Sequence, residues 1–404
     1  MFHPDGTVAL STGDVITSLL LLLALCSAAV ALLTMLRAPA WVFAWKLAIL
    51  AGEFGHWLAL LPLAVGVAAV GETTGMGRVV ILLLCAAAFL GFLRPVWSAA
   101  RVAGPLPAGL RAAFGSAAPG ETALAWSRLF TGRRRPRARV TTETFARPDG
   151  HELLLDLYRP DGPVAPESAR RPCVVVIHGG GWDGGDRKQL DEWNHWLAAR
   201  GWLVAAVSYR LAPKWQWPAQ RADVLAAMDW LKTRADELGL DPGCFVLLGR
   251  SAGGQLATAV GFGANDPAIR GVVALYGPHD MPFAWSVSRE DDVLNSLNLM
   301  RQYMGGPPDE TRREHYATAS GQAMAHADSP PTLLVHGEPD TLAWVRHSER
   351  LAHRLGELGV PHYFLRLPWA THAFDFNPDG PGGQLTAYAL EWFLASVGGD
   401  RRGP

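Results

Sequence analysis

Residues 245–254 read Phe-Val-Leu-Leu-Gly-Arg-Ser-Ala-Gly-Gly, and this stretch decides the fold. The first four residues form a short apolar run that is typical of a buried strand, and the small residues from Ala252 onward favour a helix. Glycines at 249 and 253 flank Ser251 with the spacing G-x-S-x-G. A tight turn between a strand and a helix tolerates little more than glycine at these positions. We therefore predict a strand, a turn and a helix, with Ser251 exposed on the turn.

Outward from this turn, residues 139–398 alternate between short β-rich runs and helical patterns. Near-continuous apolar runs such as Val174–Ile177 indicate a mostly parallel sheet that helices cover on both faces. The predicted class is thus α/β, with eight strands, of which the first two form a hairpin. The predicted strands are Val140–Phe145, Leu153–Tyr158, Val174–Ile177, Leu203–Val207, Phe245–Leu248, Gly271–Leu275, Thr332–Val335 and Tyr363–Leu367, and the predicted helices include Gln189–Ala199, Arg221–Leu238, Ala252–Gly261, Trp344–Gly356 and Gly383–Ser396.

A serine hydroxyl is a weak nucleophile near neutral pH and needs a positioned base. The chain has 13 histidines, so the position of each candidate matters. Asp340 and His372 each follow a late predicted strand, in the order serine, acid, histidine. Carboxyl ends of parallel strands meet at one edge of a sheet, so we expect Ser251, Asp340 and His372 to form a catalytic triad there. Glu338 is the alternative acid.

The run His178-Gly179-Gly180-Gly181-Trp182 directly follows the predicted strand that ends at Ile177. Three glycines allow the backbone to approach a substrate and to point its N–H groups at a developing oxyanion. A simple bend in a loop is the alternative interpretation. We interpret His178 as a residue that organises this loop rather than as the catalytic base.

Together, these motifs resemble the α/β-hydrolase superfamily, and within it the esterases and lipases with an HGGG oxyanion motif (the hormone-sensitive-lipase-like and feruloyl-esterase-like branch). The resemblance covers about residues 138–398 and also includes the stretch Tyr209–Pro213. It implies an α/β-hydrolase fold and an oxyanion hole made by the amides of Gly180, Gly181 and Ala252. It implies no metal and no organic cofactor.

Two positions depart from the pattern of the hormone-sensitive-lipase branch. That branch commonly has an acidic residue before the nucleophile, and this chain has Arg250. Many of its members have Asp before the Tyr-Arg-Leu-Ala-Pro stretch, and this chain has Ser208. Neither position belongs to the predicted triad.

Residues 1–100 hold most of the apolar excess of a chain that is 49% hydrophobic, with a mean hydropathy of +0.11. We predict a membrane anchor with about three spans, near residues 15–36, 48–70 and 79–97. The first run is about 33 Å long as a helix, enough to cross a bilayer. A secretory signal peptide is the rival interpretation of it. The middle stretch is either a full crossing or a re-entrant segment.

Basic residues predict the orientation of this anchor. None precedes the first apolar run, whereas many follow the third, within a predicted basic linker at residues 101–138. The positive-inside rule therefore places the catalytic domain, residues 139–398, in the cytoplasm. Glu53 and His56 lie three residues apart in the middle stretch, either as an interhelical polar contact or as a functional intramembrane pair.

The composition excludes several other classes. A formal net charge of −1 gives no reason to expect nucleic acid as a partner. Four cysteines without a C-x-x-C spacing give no zinc or redox motif, and we expect four unpaired thiols. Residues 278–318 interrupt the strand–helix rhythm, either as part of a cap over the site or as a surface excursion.

The predicted function is hydrolysis of a carboxylic ester through an acyl-enzyme on Ser251. The membrane anchor suggests a lipid or hydrophobic ester as substrate, and tryptophans near the predicted site loops could line an apolar pocket, namely Trp182, Trp215, Trp217, Trp285 and Trp369. One alternative is an acyltransferase or amidase that uses the same triad. Another, from a different class, is a catalytically idle, membrane-tethered interaction protein. The oligomeric state is open.

Overall fold

A computed structural model describes residues 11–117, 119–120, 122–132, 137–159 and 170–398. Arg133, Arg134 and Arg135 of the predicted basic segment lie outside the described residues. An eight-stranded sheet forms the centre of the molecule, with the strand order β1-β2-β4-β3-β5-β6-β7-β8. Its strands are β1 Arg139–Ala146, β2 Leu153–Arg159, β3 Arg171–Ile177, β4 Leu203–Val207, β5 Leu240–Arg250, β6 Ile269–Leu275, β7 Thr332–Gly337 and β8 His362–Leu367.

Among the described strands, β2 pairs antiparallel with β1 and with β4, and the remaining neighbours are parallel. This arrangement confirms the predicted α/β class, the mostly parallel sheet and the initial hairpin. The carboxyl ends of β5, β7 and β8 therefore lie on the same edge of the sheet, where the turns that follow them meet.

Helices cover both faces of the sheet, as the apolar strands require. Alternate residues of one strand enter different clusters: Val175 packs with helices on one face, and Val174 and Val176 pack with helices on the other. The helices that follow the N-terminal region are α5 Leu106–Phe114, α6 Trp126–Thr131, α7 Asp191–Ala198, α8 Ala219–Thr233, α9 Ala235–Leu238, α10 Ala252–Gly263, α11 Met281–Val287, α12 Ser296–Met304, α13 Arg313–Thr318, α14 Gly321–Met324, α15 Arg346–Glu357 and α16 Pro381–Val397.

The N-terminal region folds into four helices: α1 Thr12–Leu32, α2 Val42–Leu58, α3 Leu60–Glu72 and α4 Gly75–Ala103. Small and apolar side chains of α1, α3 and α4 pack into one cluster. A Cβ atom added to Gly91 of α4 would lie 2.9 Å from Ala31 Cβ, so α1 and α4 are in close contact. The outward surface of this bundle is apolar, with exposed residues that include Leu22, Leu25, Leu63, Val67 and Leu83.

Two of these helices, α1 and α4, are long and apolar enough to cross a membrane. The predicted middle span at 48–70 is not one straight helix, because α2 and α3 are bent by 55° around Ala59. The bent pair counts as a third span only if both helices are taken together. Near the bend, α2 contacts α6, since Nε2 of His56 lies 2.7 Å from the carbonyl oxygen of Leu129.

The stretch predicted as a basic linker, residues 101–138, is not an extended connection. It contains α5 and α6, and Leu106 and Leu110 are completely buried beneath the sheet. Ala99, near the end of α4, belongs to the same core cluster. The helix α4 therefore continues from the N-terminal bundle into the packing of the catalytic domain.

Candidate active site

Ser251 occupies the sharp turn between β5 and α10. Its φ of 54° and ψ of −121° are unusual for a residue with a side chain. A Cβ atom at Gly249 would lie 1.9 Å from the carbonyl oxygen of Gly253, and one at Gly253 would lie 2.1 Å from that of Ile177. No side chain fits at either distance, so both glycines of the G-x-S-x-G spacing are required by the close approach of backbone.

The structure brings the three predicted triad residues together. Nε2 of His372 lies 2.8 Å from Oγ of Ser251, and Nδ1 of His372 lies 2.7 Å from Oδ2 of Asp340. With the hydroxyl of Ser251 donating to Nε2, the ring donates its Nδ1–H to the carboxylate. These two hydrogen bonds join residues that are 121 and 32 positions apart in the chain.

Asp340 is completely buried, and its second oxygen accepts hydrogen bonds from the backbone N–H groups of Leu342 and Ala343. Burial alone would raise the pKa of this carboxyl. The neighbouring imidazole of His372, with hydrogen bonds from His336 and His372, outweighs burial and holds the pKa of Asp340 well below its usual range. Asp340 is therefore ionised at neutral pH and can orient the ring of His372.

The alternative candidates lie elsewhere. Glu338 is partly exposed and pairs with Arg366 at 3.1 Å, away from His372. His178 is buried, stacks on the ring of Tyr209 at 4.2 Å and lies in the glycine loop. Tyr209 also donates its hydroxyl to the carbonyl oxygen of His178, at 3.0 Å. This geometry fits the interpretation of His178 as a residue that organises the loop.

The glycine loop lies beside the serine turn. A Cβ at Gly179 would lie 3.1 Å from Ser251 Cβ, and Gly180 and Gly181 both have positive φ values, of 124° and 61°. Ala252 is the first residue of α10, so its N–H has no acceptor within the helix. Among the described residues, no protein acceptor receives the N–H of Gly180, Gly181 or Ala252. These three amides are available to an oxyanion.

A buried ion pair connects the serine turn to the histidine loop, and it was not predicted from the sequence. The guanidinium of Arg250 contacts the carboxylate of Asp375, and both side chains are almost fully buried. Tyr276 donates its hydroxyl to the same carboxylate. The sequence signal was Arg250 itself, which replaces the expected acidic residue, but nothing in the sequence identified its partner.

Two clefts meet at Ser251 and His372, with volumes of about 780 and 1030 Å³ including the space open to solvent. Residues 278–318 line the first cleft through α11 and α12, so the segment covers the site and is not a remote surface excursion. Tyr303 of α12 stacks on Trp182 at 4.4 Å and fixes this cover. Most of the shared wall is apolar and includes Leu294, Leu299 and Leu342.

Only part of the predicted tryptophan set lines these clefts. Trp182 does so, whereas Trp217 and Trp369 are buried in the core. Two tryptophans that were not predicted contribute: Trp344, and Trp45 from the N-terminal helix α2. In the described part of the chain, no group of three or more His, Cys, Asp or Glu side chains could hold a metal ion. The four cysteines are free thiols.

Comparison with known proteins identifies esterases as relatives of this chain. The BD-FAE family model matches residues 155–355. The chain is 29% identical over 263 residues to a probable carboxylic ester hydrolase, LipM, of Mycobacterium tuberculosis, covering 61% of this chain and 59% of the relative. It is 32% identical over 246 residues to an ethyl acetate hydrolase of Pseudomonas putida, covering 54% of this chain and 73% of the relative.

Among solved structures, an esterase of Pyrobaculum calidifontis is similar, with a TM-score of 0.55 and 27% identity over 65% of this chain and 87% of that one. The chain spans only 59–63% of the length of LipM, LipC and LipQ of Mycobacterium tuberculosis. The residues that the BD-FAE model matches include β3 to β7 and the serine turn. The chain belongs to the α/β-hydrolase family of carboxylic ester hydrolases.

Proposed function

We propose that this protein hydrolyses carboxylic esters with Ser251 as nucleophile, His372 as general base and acid, and Asp340 as the residue that orients the imidazole. The observation that carries the proposal is the pair of hydrogen bonds through His372, 2.8 Å to Ser251 and 2.7 Å to Asp340. Both distances lie within the reach that proton transfer requires.

The reaction follows from this geometry in two steps. Oγ of Ser251 attacks the ester carbonyl carbon while Nε2 of His372 takes the hydroxyl proton, and Asp340 stabilises the resulting imidazolium. The tetrahedral intermediate collapses when His372 gives that proton to the departing alkoxide, which leaves as the alcohol. Water, deprotonated by His372, then attacks the acyl-enzyme, and the carboxylic acid departs as Ser251 regains its proton.

The amides of Gly180, Gly181 and Ala252 would hold the oxyanion of both tetrahedral intermediates. Free N–H groups beside the serine support this role. One such donor contributes about 2.7–4 kcal/mol of transition-state stabilisation in a related type of site. The first-turn position of Ala252 adds the positive end of the α10 helix dipole.

A fluorophosphonate probe tests the nucleophile directly, since it labels a serine only when a base activates it. We expect one labelled site in the intact protein, and loss of labelling and of p-nitrophenyl ester hydrolysis in Ser251→Ala. Ser288→Ala is the matched control, because Ser288 also lines the first cleft but has no histidine partner in the described structure. Persistent labelling of the Ser251→Ala protein would contradict the assignment.

We also propose that the protein is an integral membrane protein with a cytoplasmic catalytic domain. Three observations support this: the length and apolarity of α1 and α4, the exposed apolar surface of the bundle, and the basic residues at the catalytic end. Arg37 stacks on Trp344 of the catalytic domain at 4.7 Å, which supports a topology with the loop after α1 on the same side as the enzyme. A reporter fused after Pro404 should be active only in its cytoplasmic form.

The walls of the clefts support a hydrophobic ester, such as a lipid, as the substrate. Leu294 and Phe376 are both exposed apolar side chains at the second cleft, and Trp45 of α2 completes its wall. Single exposed apolar residues are ordinary on protein surfaces, but here they surround the candidate nucleophile. A hydrocarbon chain bound in this cleft would remove that apolar surface from water.

A further inference from the structure

We propose that the N-terminal helices position the histidine of the triad: Glu53 and Trp45 of α2 hold the segment that carries His372. The inference rests on the proposed catalytic role of His372. It gives the helices a part in catalysis in addition to membrane attachment. Glu53 and Trp45 would act through the histidine segment and are therefore positioning residues.

His372 lies in residues 368–380, between β8 and α16, which we call the histidine segment. Its only regular element is a short 3-10 turn at Phe374–Phe376. Ala373, next to His372, has a φ of 64°, in the left-handed region. Neither a ladder of strand hydrogen bonds nor a helix fixes His372, so its position depends on contacts from other parts of the chain.

Glu53 supplies several of these contacts. Its side chain is almost completely buried, and its Oε2 accepts the backbone N–H of Gly382 at 3.0 Å. Its other oxygen, Oε1, accepts the indole N–H of Trp369 at 3.4 Å. Asn377 donates its side-chain amide to the backbone carbonyl of Glu53 at 3.2 Å. One residue of α2 thus contacts the segment near its start, near its end and at the helix that follows.

The contact at Gly382 is chemically specific. Gly382 lies in the first turn of α16, where backbone N–H groups have no acceptor within the helix, so an oxygen of the Glu53 side chain satisfies one of them. A Cβ at Gly380 would lie 2.3 Å from Oε2 of Glu53, and one at Gly382 would lie 2.7 Å from Oε1. The glycines therefore leave the space that the carboxyl group of Glu53 occupies.

Trp45 and Arg94 add two further contacts from the N-terminal helices. The indole N–H of Trp45 donates to the backbone carbonyl of His372 itself, at 3.1 Å. Arg94 of α4 reaches the carbonyl of Pro368, where the segment begins, at 3.4 Å. Because a displacement of about 1 Å at a catalytic group can slow a reaction by about 10²-fold, loss of these contacts should reduce turnover while leaving the substrate clefts intact.

Steady-state kinetics of the full chain in detergent, with Glu53→Ala, Glu53→Gln and Trp45→Phe, tests the proposal. We expect Glu53→Ala to lower kcat about tenfold or more with KM changed less than about twofold. Glu53→Gln should restore most of kcat, because its amide oxygen still accepts from Gly382. Trp45→Phe keeps the ring in the cleft wall, removes the donor to His372 and should lower kcat in the same way.

His56→Ala is the matched control, since His56 lies on the same helix but contacts Leu129 of α6, away from the segment that carries His372. Fluorophosphonate labelling of Ser251 gives the second readout and should slow in parallel with kcat. An equal loss of kcat in His56→Ala, or unchanged labelling rates in Glu53→Ala and Trp45→Phe, would overturn the proposal. Absence of labelling in the unmodified protein would instead remove the proposed function.

Discussion

Arg250 and Asp375 form a buried ion pair that joins the residue before Ser251 to the loop that carries His372. Each charge has lost most of its hydration, and each depends on the other for compensation. A buried pair contributes little net stability compared with apolar residues, but removing one partner leaves an uncompensated charge. Substitution of only one of the two residues should therefore destabilise the protein.

We expect Asp375→Asn to destabilise the protein by about 3–5 kcal/mol, because it leaves the guanidinium of Arg250 buried without a counter-charge. Chemical unfolding of the detergent-solubilised protein measures this difference. Asp291→Asn breaks the pair of Asp291 with Arg289, whose side chains are about 70% exposed, and should change stability by less than about 1 kcal/mol. Equal effects in the two variants would refute the prediction.

Asp340→Asn should reduce kcat by about 10⁴-fold while the protein remains folded, because an amide in this place no longer selects the tautomer with a proton on Nδ1 of His372. Glu338→Gln tests the rival acid and should leave kcat within about twofold, since Glu338 pairs with Arg366 rather than with the histidine. Burst and steady-state measurements with a p-nitrophenyl ester give both values. Loss of activity in Glu338→Gln with full activity in Asp340→Asn would reverse the assignment.

Acid should destabilise the catalytic domain through His347. Burial, and then the nearby His336, lower the pKa of His347 to about 3, whereas an unfolded chain has a value of about 6.5. Stability is therefore full above about pH 6.5 and decreases as the pH falls toward 3, because the unfolded state binds the proton first.

Measurement of unfolding free energy between pH 7 and pH 4.5 tests this effect. His347→Gln should make the pH dependence shallower by up to about 1.4 kcal/mol per pH unit. His353→Gln is the control, because the side chain of His353 is 79% exposed. A pH dependence that is the same in the unmodified protein and in His347→Gln would exclude His347 as the cause.

Preference for a hydrophobic substrate predicts that kcat/KM depends on the length of the acyl chain. From p-nitrophenyl acetate to octanoate, kcat/KM should increase by up to about fourfold per methylene that enters the cleft, since each buried methylene contributes about 0.8 kcal/mol. Leu299→Ala should flatten the profile, because Leu299 lines both clefts. A strict preference for acetate over octanoate would count against a lipid substrate.

The sequence was sufficient to predict the sheet and to place Ser251, Asp340 and His372 after strands at one edge of it, because both depend on local patterns. All eight strands were predicted, and Asp340 and His372 follow strands that end at one edge. The G-x-S-x-G spacing predicted the turn correctly because a Cβ atom at Gly249 or Gly253 would clash with the backbone. Only glycine therefore fits at either position. Such constraints act within a few residues and are visible in one sequence.

The remaining features depend on how distant parts of the chain pack together. Apolar helices have similar compositions whether they cross a bilayer or pack on a domain. Hydropathy therefore predicted one middle span at residues 48–70 and did not reveal the bend between α2 and α3. Glu53 was recognised as unusual, but its partner Gly382 lies 329 residues away. Asp375 carried no local signal because its partner, Arg250, is 125 residues distant.

The helix α4 passes without a break from the apolar bundle to Ala99, which packs with Leu106 and Leu110 under the sheet. The N-terminal bundle and the catalytic domain are consequently not separate modules joined at β1. A protein that begins at residue 139 would expose to water the apolar surface that Leu106 and Leu110 cover, and it should aggregate. A fusion that replaces the N-terminal bundle with a junction inside α4, upstream of Ala99, would keep the packing of Ala99 with Leu106 and Leu110 but would lose the contacts that Glu53 and Trp45 make.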